Sequence, residues 1–255
     1  MIKVIILGAG NVAIHLAKAF QKTKSVEVIQ RYNKSTRNSS EFDPSIPFTK
    51  DLQELVKADV YIISITDDAI AGFSKRLKFK HGIVVHTSGS IPLEALQCKA
   101  AKGVFYPLQT FSKEKKVDFI EVPVCVESEL NKNMIILEDL AKAVSRKVYR
   151  INSLQREKLH VAAVFASNFS NHMYKIAGDI CESNKISFDI LKPLILETAK
   201  KIQTIEPVIA QTGPARRDDR QTIQKHLSEL EGIQKEIYTL VTQSITETYS
   251  DGKKL

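Results

Sequence analysis

The chain has little cysteine and no tryptophan, and the scarcity of cysteine excludes two kinds of stabilised scaffold. Its 255 residues include three cysteines, Cys98, Cys125 and Cys181, with no Cys-x-x-Cys pair. An odd number of widely spaced cysteines is typical neither of a disulfide framework nor of a zinc site. We therefore expect free thiols in a reducing cytosol and no metal centre.

The chain also lacks an apolar run long enough for a membrane span. Its first residues form the first predicted strand, so we expect no signal peptide, no membrane partner and a cytoplasmic location. The net charge is +8, but the basic residues are dispersed apart from Lys113–Lys116 and Lys253–Lys254. No aromatic residues are interleaved with these two clusters, and we therefore expect no nucleic-acid partner.

What the sequence does contain begins with an apolar, β-branched run, Met1–Leu7, followed at once by the segment GAGNVA. This is the G-x-G-x-x-A form of the dinucleotide-binding fingerprint, placed between a predicted strand and a predicted helix as it should be. Gly8 lets the chain turn, Gly10 lets the backbone approach a pyrophosphate, and Ala13 keeps the helix close to the strand. The predicted pyrophosphate-binding residues, at the positive end of the helix, are Gly8, Gly10, Asn11, Val12 and Ala13.

Short apolar runs alternate with helical patterns over residues 1–151, which predicts βαβ units and a largely parallel sheet. The predicted strands are residues 1–7, 26–32, 60–65, 82–86, 104–106 and 122–126, and the helices among them include 51–57, 69–76, 92–97 and 130–145. Residues 152–255 are predicted to be helical, over 153–181, 188–211 and 219–249, with a capping box at Asn152–Gln155. The sequence therefore predicts a Rossmann-like α/β domain followed by an all-α domain, with the substrate in the crevice between them.

The residues after the second predicted strand bear on the choice of nucleotide. NAD-binding proteins usually place an acid there to hold the ribose hydroxyls, and no acid lies between Ile29 and Arg37. The residues there that could instead hold a 2′-phosphate are Arg31, Asn33, Lys34, Ser35, Thr36 and Arg37. We therefore predict NADP, with NAD as the alternative and an ordinary polar loop as the non-binding interpretation. Thr66 and Asp67 are predicted to line the ribose or nicotinamide, although Asp67 could instead cap the next helix.

Polar groups follow two further predicted strands. His86 and Ser88, in the segment HTSGS, are predicted to face the nicotinamide or the substrate. The alternative for them is a capped turn that contains a hydrogen-bonded histidine. Tyr106, in the segment GVFYPLQTF, offers a phenol as a proton donor or a pocket wall, with core packing as the alternative.

A polar stripe and an arginine cluster mark the helical part. At about 100° per residue, His160 and Ser167 nearly align, and Asn168 lies about 80° round from His160. A histidine in such a stripe could act as general acid for hydride transfer to a C=O or C=N bond, unless the stripe is merely solvated. Arg217, close to Asp219 in the segment QTGPARRDD, could clamp a carboxylate or phosphate, unless the segment is only a charged loop.

Five segments together resemble a bacterial family of two-domain, Rossmann-like proteins with a DUF2520 C-terminal domain. They are GAGNVA, HTSGS, GVFYPLQTF, HVAAVFASNFSNHM and QTGPARRDD, and the resemblance spans nearly the whole chain. The positions it marks are His86, Ser88, Gly89, Tyr106, Pro107, His160, Ser167, Asn168, Gly213, Pro214, Arg217 and Asp219. The family is similar in layout to 6-phosphogluconate dehydrogenase, β-hydroxyacid dehydrogenase, ketopantoate reductase and pyrroline-5-carboxylate reductase. That kinship implies a 6-phosphogluconate dehydrogenase-like C-terminal domain, NADP-dependent redox chemistry and homodimers formed through the helical domain.

The resulting hypothesis is an NADP-dependent oxidoreductase that acts on a small, anionic carbonyl or imine substrate. His160 would protonate the developing oxyanion or amine, while Asn168 and Ser88 orient it. The residues predicted to bind the substrate are Tyr106, Ser167, Arg217 and Asp219.

One departure from the related enzymes keeps an alternative open. The hydroxyacid dehydrogenases place a catalytic lysine on the first interdomain helix, with an asparagine three or four residues later. Here Lys158 is followed by Val161 and Ala162 at those spacings, and the helix offers His160 instead. The alternative hypothesis is a non-catalytic sensor or scaffold that binds NADP.

Overall fold

An eight-stranded sheet organises the first part of the chain in the computed structural model, which describes residues 1–36 and 39–250. The strands are β1 (Ile2–Leu7), β2 (Val26–Tyr32), β3 (Phe48–Thr49), β4 (Val60–Ile63), β5 (Ile83–His86), β6 (Ala101–Pro107), β7 (Val124–Ser128) and β8 (Val148–Arg150). Their spatial order is β3-β2-β1-β4-β5-β6-β7-β8, and every neighbouring pair is parallel except β6 with β7. This arrangement confirms the predicted Rossmann-like α/β fold.

The two strands that the sequence does not predict, β3 and β8, lie at the edges of the sheet. They contain two and three residues. So few residues cannot show the alternation of apolar and polar side chains on which strand prediction depends. The six predicted strands are all present.

The helices of the sheet region are shorter than the sequence predicts. They are α1 (Asn11–Phe20), α2 (Ile70–Ser74) and α3 (Asn131–Lys142). The helices predicted over 51–57 and 92–97 are wrong, because each segment forms a single 3-10 turn. The backbone returns to an extended conformation at Leu55 and Leu96, with ψ of 120° and 116°. Leu96 is fully buried in the core, so packing favours this early end over a longer helix.

Hydrophobic cores cover both faces of the sheet. The last four side chains of β1 have no exposed surface, and they alternate between the two cores. Val4 and Ile6 pack with residues of α1 and α3, whereas Ile5 and Leu7 pack on the opposite face. This follows from the alternation of side chains along a strand. Each such burial contributes about 1.5–3 kcal/mol, so β1 and the turn after it are firmly anchored.

The region after the sheet is helical, as predicted, but more interrupted. The helices are α4 (Ser153–Ala163), a π-helical segment (Val164–Phe169), α5 (Ser170–Ser183), α6 (Lys192–Lys201), α7 (Pro207–Ala210), α8 (Arg220–Glu229) and α9 (Gly232–Ser250). The predicted capping box at the start of α4 is present, formed by Asn152 and Gln155. The helices predicted over 188–211 and 219–249 are each divided. The second is interrupted at Leu230 and Glu231, directly before Gly232, where φ is +51°.

The chain divides into two compact units, Met1–Asn168 and Phe169–Leu255. The division falls within the π-helical segment, whereas the sequence places the domain boundary between residues 151 and 152, just before α4. The described residues include no helix that combines the length and apolar character needed to cross a membrane.

Candidate functional site

The turn between β1 and α1 has a geometry that only glycine allows. Gly8 has φ of +129°, and a Cβ atom there would lie 2.1 Å from the carbonyl oxygen of Ser64. The Gly8 amide donates to the carbonyl of Tyr32 at 2.8 Å, which ties the turn to β2. Gly10 differs, because its φ is −77° and its Cβ would lie 4.0 Å from the same Ser64 oxygen. The protein does not itself require glycine at position 10, and the space left there is open to a ligand.

Helix α1 begins directly at this turn. Gly10 occupies its N-cap and has no side chain to cap the first turn. The amides of Asn11, Val12 and Ala13 lie in the first turn, where helical geometry provides no partner. The Asn11 side chain donates to the carbonyl of Phe111 at 2.9 Å, and the methyl group of Ala13 is fully buried. The predicted pyrophosphate residues therefore lie together, and they offer backbone amides rather than side chains to an anion.

A cavity of about 340 Å³ lies beside the turn and is lined in part by Asn33 and Lys34, two of the residues predicted to hold a 2′-phosphate. The side chain of Asn33 donates to the carbonyl of Ser35 at 2.8 Å, which shapes the loop after β2. The cavity also includes Arg76, which the sequence analysis does not single out. Arg76 is the last residue of the helix predicted over 69–76, and no local signal indicates its position beside the β2 loop.

Of the two arginines predicted to hold the 2′-phosphate, Arg31 and Arg37, the first is not found in the cavity that Lys34 lines. Arg31 is buried, with its guanidinium 5.0 Å from the ring centre of Phe42 and 4.5 Å from that of Phe48. Burial lowers the pKa of Arg31. Its side chain is thus part of the packing and does not line the cavity beside Lys34, which corrects its predicted use as a phosphate ligand. Arg37 lies outside the described residues.

Thr66 and Asp67 follow β4 at the same edge of the sheet and are exposed. Asp67 opens a 3-10 turn whose N-cap is Thr66, and the Ala69 amide donates to the carbonyl of Thr66 at 3.0 Å. The alternative in which Asp67 caps the next helix is therefore wrong. Both side chains remain on the surface where the carboxyl ends of the parallel strands meet, as a cofactor contact requires.

The segment after β5 forms a tight turn in which the predicted ligands are hydrogen-bonded within the protein. His86 has no exposed surface, and its Nδ1 accepts the Ser88 amide at 3.2 Å. Burial lowers the pKa of His86 to about 4, with the positive charge of Arg156 acting in the same direction. The Ser88 hydroxyl accepts the amides of Ser90 and Ile91, both at 3.1 Å. The side chain of His86 thus cannot contact a nicotinamide in this conformation, and that of Ser88 shapes the turn.

In this turn, Gly89 lies against a hydrogen-bonded pair formed by Tyr106 and His160. The Tyr106 hydroxyl lies 3.1 Å from Nδ1 of His160. A Cβ atom at Gly89 would lie 2.6 Å from that Nδ1 and 2.9 Å from the Tyr106 ring, so only glycine fits there. Burial raises the pKa of Tyr106 to about 12, and the phenol therefore keeps its proton at neutral pH. We assign the phenol as donor to Nδ1, which places the proton of a neutral His160 ring on Nε2.

A buried ion pair fixes the helix that carries His160. Arg156 is only 1% exposed and bonds to the carboxylate of Glu127 on β7 and to the carbonyl of Ile91. Ser153, in the first turn of α4, donates its amide to Glu127 at 2.8 Å and accepts the Leu93 amide at 2.9 Å. This network joins the turn after β5 to α4. The sequence carries only a weak signal for it, namely that Arg156 lies one helical turn before His160.

The remaining predicted residues of the long helix lie in its π-helical segment. Ser167 is half-buried and Asn168 is exposed. The angular alignment of His160 with Ser167 assumes an unbroken α-helix, and the π-helical hydrogen bonds over Val164–Phe169 change that spacing. The predicted stripe is therefore wrong in its geometry.

The arginine cluster lies in the second compact unit. Arg217 is exposed, in a 3-10 turn before α8. The carboxylate of Asp219 caps α8, since it accepts the amide of Thr222 at 3.1 Å and its hydroxyl at 2.8 Å. Those bonds, together with the charge of Arg217, lower the pKa of Asp219. Asp219 is thus engaged as a helix cap, and Arg217 keeps an exposed guanidinium.

Comparison with known proteins gives one family and several similar structures. A family model described as a domain of unknown function, DUF2520, matches residues 122–245. A candidate NADP oxidoreductase of Bacteroides fragilis is 38% identical, with a TM-score of 0.87 over 96% of this chain and 98% of that chain. A protein of Thermotoga maritima is 18% identical, with a TM-score of 0.76 over 98% and 99% of the two chains.

A pyrroline carboxylate reductase of Plasmodium falciparum with NADP bound is 12% identical, with a TM-score of 0.65 over 98% of each chain. At such low identity, this structure and that from Thermotoga maritima show likeness of fold alone. No curated protein sequence matches the chain significantly.

Proposed function

Because the chain belongs to the family of Rossmann-like proteins with a DUF2520 domain, we propose that it is an oxidoreductase that transfers hydride between NADP and a small, anionic carbonyl or imine compound. The observation that carries this proposal is the position of two glycine-dependent turns. Gly8 follows β1 and Gly89 follows β5, so both lie at the carboxyl edge of parallel strands. Ligands of open α/β sheets bind at this edge. One turn suits a pyrophosphate, and the other adjoins a side chain suited to proton transfer.

The cofactor half of the proposal assigns each part of the dinucleotide to described residues. The pyrophosphate would lie over Gly10 and accept amide hydrogens from the first turn of α1. The adenosine would occupy the cavity that contains Lys34 and Arg76. Lys34 stands in the loop after β2, which lacks the usual acid, and Arg76 lines the same cavity. The two cations outnumber the one carboxylate of the lining, Asp68, and they support NADP over NAD. NADPH bound there would supply the hydride.

The chemical half concerns His160. Its ring is held through Nδ1 by the Tyr106 phenol, and its Nε2 proton is the one left to give. In the proposed reaction the ring enters as an imidazolium, with its Nδ1 proton directed at the Tyr106 oxygen. Its Nε2 proton passes to the oxygen or nitrogen that gains negative charge as hydride arrives at the adjacent carbon, and a neutral imidazole remains. Tyr106 acts by orienting the ring. Ser167 and Asn168 are proposed to contact the polar atoms of the substrate.

The first test is a titration with NADPH and NADH that follows nicotinamide fluorescence. We expect tighter binding of NADPH, and the Lys34→Gln/Arg76→Gln variant should lose affinity for NADPH by about tenfold while NADH is unaffected. The Lys132→Gln/Lys158→Gln variant, which loses two charges elsewhere, is the matched control. A clear preference of the wild type for NADH would overturn the assignment of NADP.

The second test follows oxidation of NADPH in the presence of 2-oxo acids and cyclic imines. We expect turnover with at least one anionic compound, and loss of about 10²–10⁴-fold in kcat for His160→Ala. Tyr106→Phe should retain NADPH affinity but shift the pH profile of kcat, because it removes the partner of Nδ1. Binding of NADPH without oxidation by any compound of either class would support the sensor or scaffold alternative instead.

The second unit supports a further part of the proposal, that the protein is a homodimer formed through its helices. Among described residues 169–250, Cys181 is the single apolar side chain that is buried. Large apolar residues of this unit are exposed instead, including Ile190, Leu194, Ile209 and Leu240, at 63–73%. Exposed apolar surface of this extent is typical of an interface with another chain.

Light scattering after size-exclusion chromatography tests the dimer. We expect twice the mass of the chain for the wild type, and monomers for Ile209→Glu/Leu240→Glu. Leu130→Glu, at an exposed apolar position of the sheet unit, is the control and should remain dimeric. A wild-type monomer at micromolar concentration would contradict the proposal.

A further inference from the structure

A second cavity, of about 610 Å³, lies along helix α1. Its walls come from α1, from the segment Lys113–Ile120 after β6, and from Ala143 and Val144 at the end of α3. The volume is within the usual range for small-molecule sites. None of its lining residues belongs to the 340 Å³ cavity assigned to the adenosine.

The floor of this cavity is apolar. Ile14 and Ala19 of α1, Phe119 and Val144 line it, and all four are buried members of the same hydrophobic core. An apolar floor with so few polar groups favours the body of an aliphatic or aromatic molecule over a highly hydrated one.

The rim of the cavity is cationic. Its five lysines are Lys18, Lys22, Lys113, Lys115 and Lys116, and its two carboxylates are Glu41 and Asp118. Glu41 pairs with Lys18 at 3.3 Å, and Asp118 accepts the Ile120 amide at 3.2 Å as the cap of a 3-10 turn. The carboxylates thus have partners, and the excess of lysines creates a positive potential at the mouth of an apolar pocket.

The outer wall of the cavity is fastened to α1 by two hydrogen bonds. Nε2 of His15 donates to the carbonyl of Ser112 at 2.8 Å, and the side-chain Nδ2 of Asn11 donates to the carbonyl of Phe111 at 2.9 Å. The ring of His15 also lies 5.2 Å from that of Phe111, between their centres. These contacts hold Phe111 and Ser112, directly before the lysine-bearing segment, against the helix, so one end of that segment is anchored at the cavity.

From these features we infer a binding site for a small amphipathic anion, with its apolar body against Ile14 and Phe119 and its phosphate or carboxylate among the lysines of the rim. The inference does not rest on the proposed reaction. It gives a role to the basic cluster Lys113–Lys116, to which the proposed cofactor site and the proposed proton transfer assign none.

Isothermal titration calorimetry with octyl phosphate and octanoate, each below its micelle-forming concentration, tests the site. We expect saturable binding of at least one of the two anions, and the stronger of them identifies the preferred head group. Uncharged 1-octanol should bind at least about tenfold more weakly, because it lacks the attraction to the lysines. Binding should persist when the protein is saturated with NADPH.

Charge-reversal variants locate the binding. Lys22→Glu/Lys116→Glu should weaken binding of the anion by about tenfold or more. Lys80→Glu/Lys132→Glu makes the same change of charge away from the cavity and should alter it by less than about twofold. Urea unfolding of both variants shows whether each is folded. The inference is overturned if neither anion binds, if octanol binds equally well, if NADPH displaces the anion, or if the two variants lose affinity alike.

Discussion

Gly8 and Gly10 are two residues apart, and replacing each with alanine separates the needs of the fold from those of the ligand. At Gly8, φ of +129° disfavours any L side chain, and the new Cβ would lie 2.1 Å from the Ser64 carbonyl oxygen. Backbone strain costs about 1–3 kcal/mol and overpacking about 1–3 kcal/mol, so Gly8→Ala should lose about 2–6 kcal/mol of unfolding free energy. That is a large part of the stability of an ordinary domain.

Alanine at position 10 should instead leave stability nearly unchanged and weaken the binding of NADPH. Its φ of −77° suits alanine, and the Cβ would lie 4.0 Å from the nearest backbone oxygen, so stability should change by less than about 1 kcal/mol. The methyl group would occupy the space assigned to the pyrophosphate and weaken its bonds to the helix amides. Loss of one hydrogen bond to a charged group, about 1.5–3 kcal/mol, corresponds to NADPH binding weakened by about 10–100-fold.

Urea unfolding by circular dichroism and NADPH titration on the same preparations measure both quantities. Gly178→Ala, in α5 of the second unit, is the control and should change neither NADPH affinity nor, beyond about 1 kcal/mol, stability. If Gly10→Ala folds normally and binds NADPH as tightly as the wild type, the pyrophosphate does not lie at this turn.

Two further predictions concern the network beneath Gly89. The pKa of His86 falls from its ordinary 6.5 to about 4 on folding, so between these values the unfolded chain binds more protons. Unfolding free energy should therefore decrease by up to about 3 kcal/mol as pH falls from 7 to 4, a dependence that His86→Gln reduces and that unfolding titrations at each pH would show. Arg156→Met leaves the carboxylate of Glu127 without its cation and should lower the free energy of unfolding by about 3–5 kcal/mol. The double variant Arg156→Met/Glu127→Leu should recover part of that loss. If Arg156→Met is as stable as the wild type, the ion pair contributes little to stability.

The sequence predicts the β1–α1 turn because every signal for it is local. The apolar strand, the glycines and the following helix are adjacent in the chain, and the requirement for Gly8 comes from β4, which packs beside β1 in any sheet of this order. The 3-10 turns after Asp51 and Pro92 are a different case, since the burial of Leu96 ends one of them early. Such an end depends on a neighbour that local pattern does not reveal.

The sequence predicts His160 as a candidate acid, but it does not predict that His160 pairs with Tyr106. His160 and Tyr106 each stand in a distinctive segment, yet 54 positions separate them, and their hydrogen bond depends on how α4 packs against β6. The same holds for Arg156 and Glu127, which are 29 positions apart. The angular argument for Ser167 fails for a further reason. A π-helical segment shifts every later side chain, and nothing in the local residue types announces it.

His86 shows that a residue predicted as a ligand can instead build the turn beside the candidate site. The polar segment after β5 lies at the edge where ligands bind, so a histidine there suggests a direct contact. In the fold that histidine is buried and kept neutral, and it receives the Ser88 amide, while Ser88 receives the next two amides of the turn. These bonds close the turn tightly enough for Gly89 to meet the His160 ring with no room for a methyl group. The polar residues of the segment therefore serve the site by building the turn, and the residue that adjoins the candidate acid is the one without a side chain.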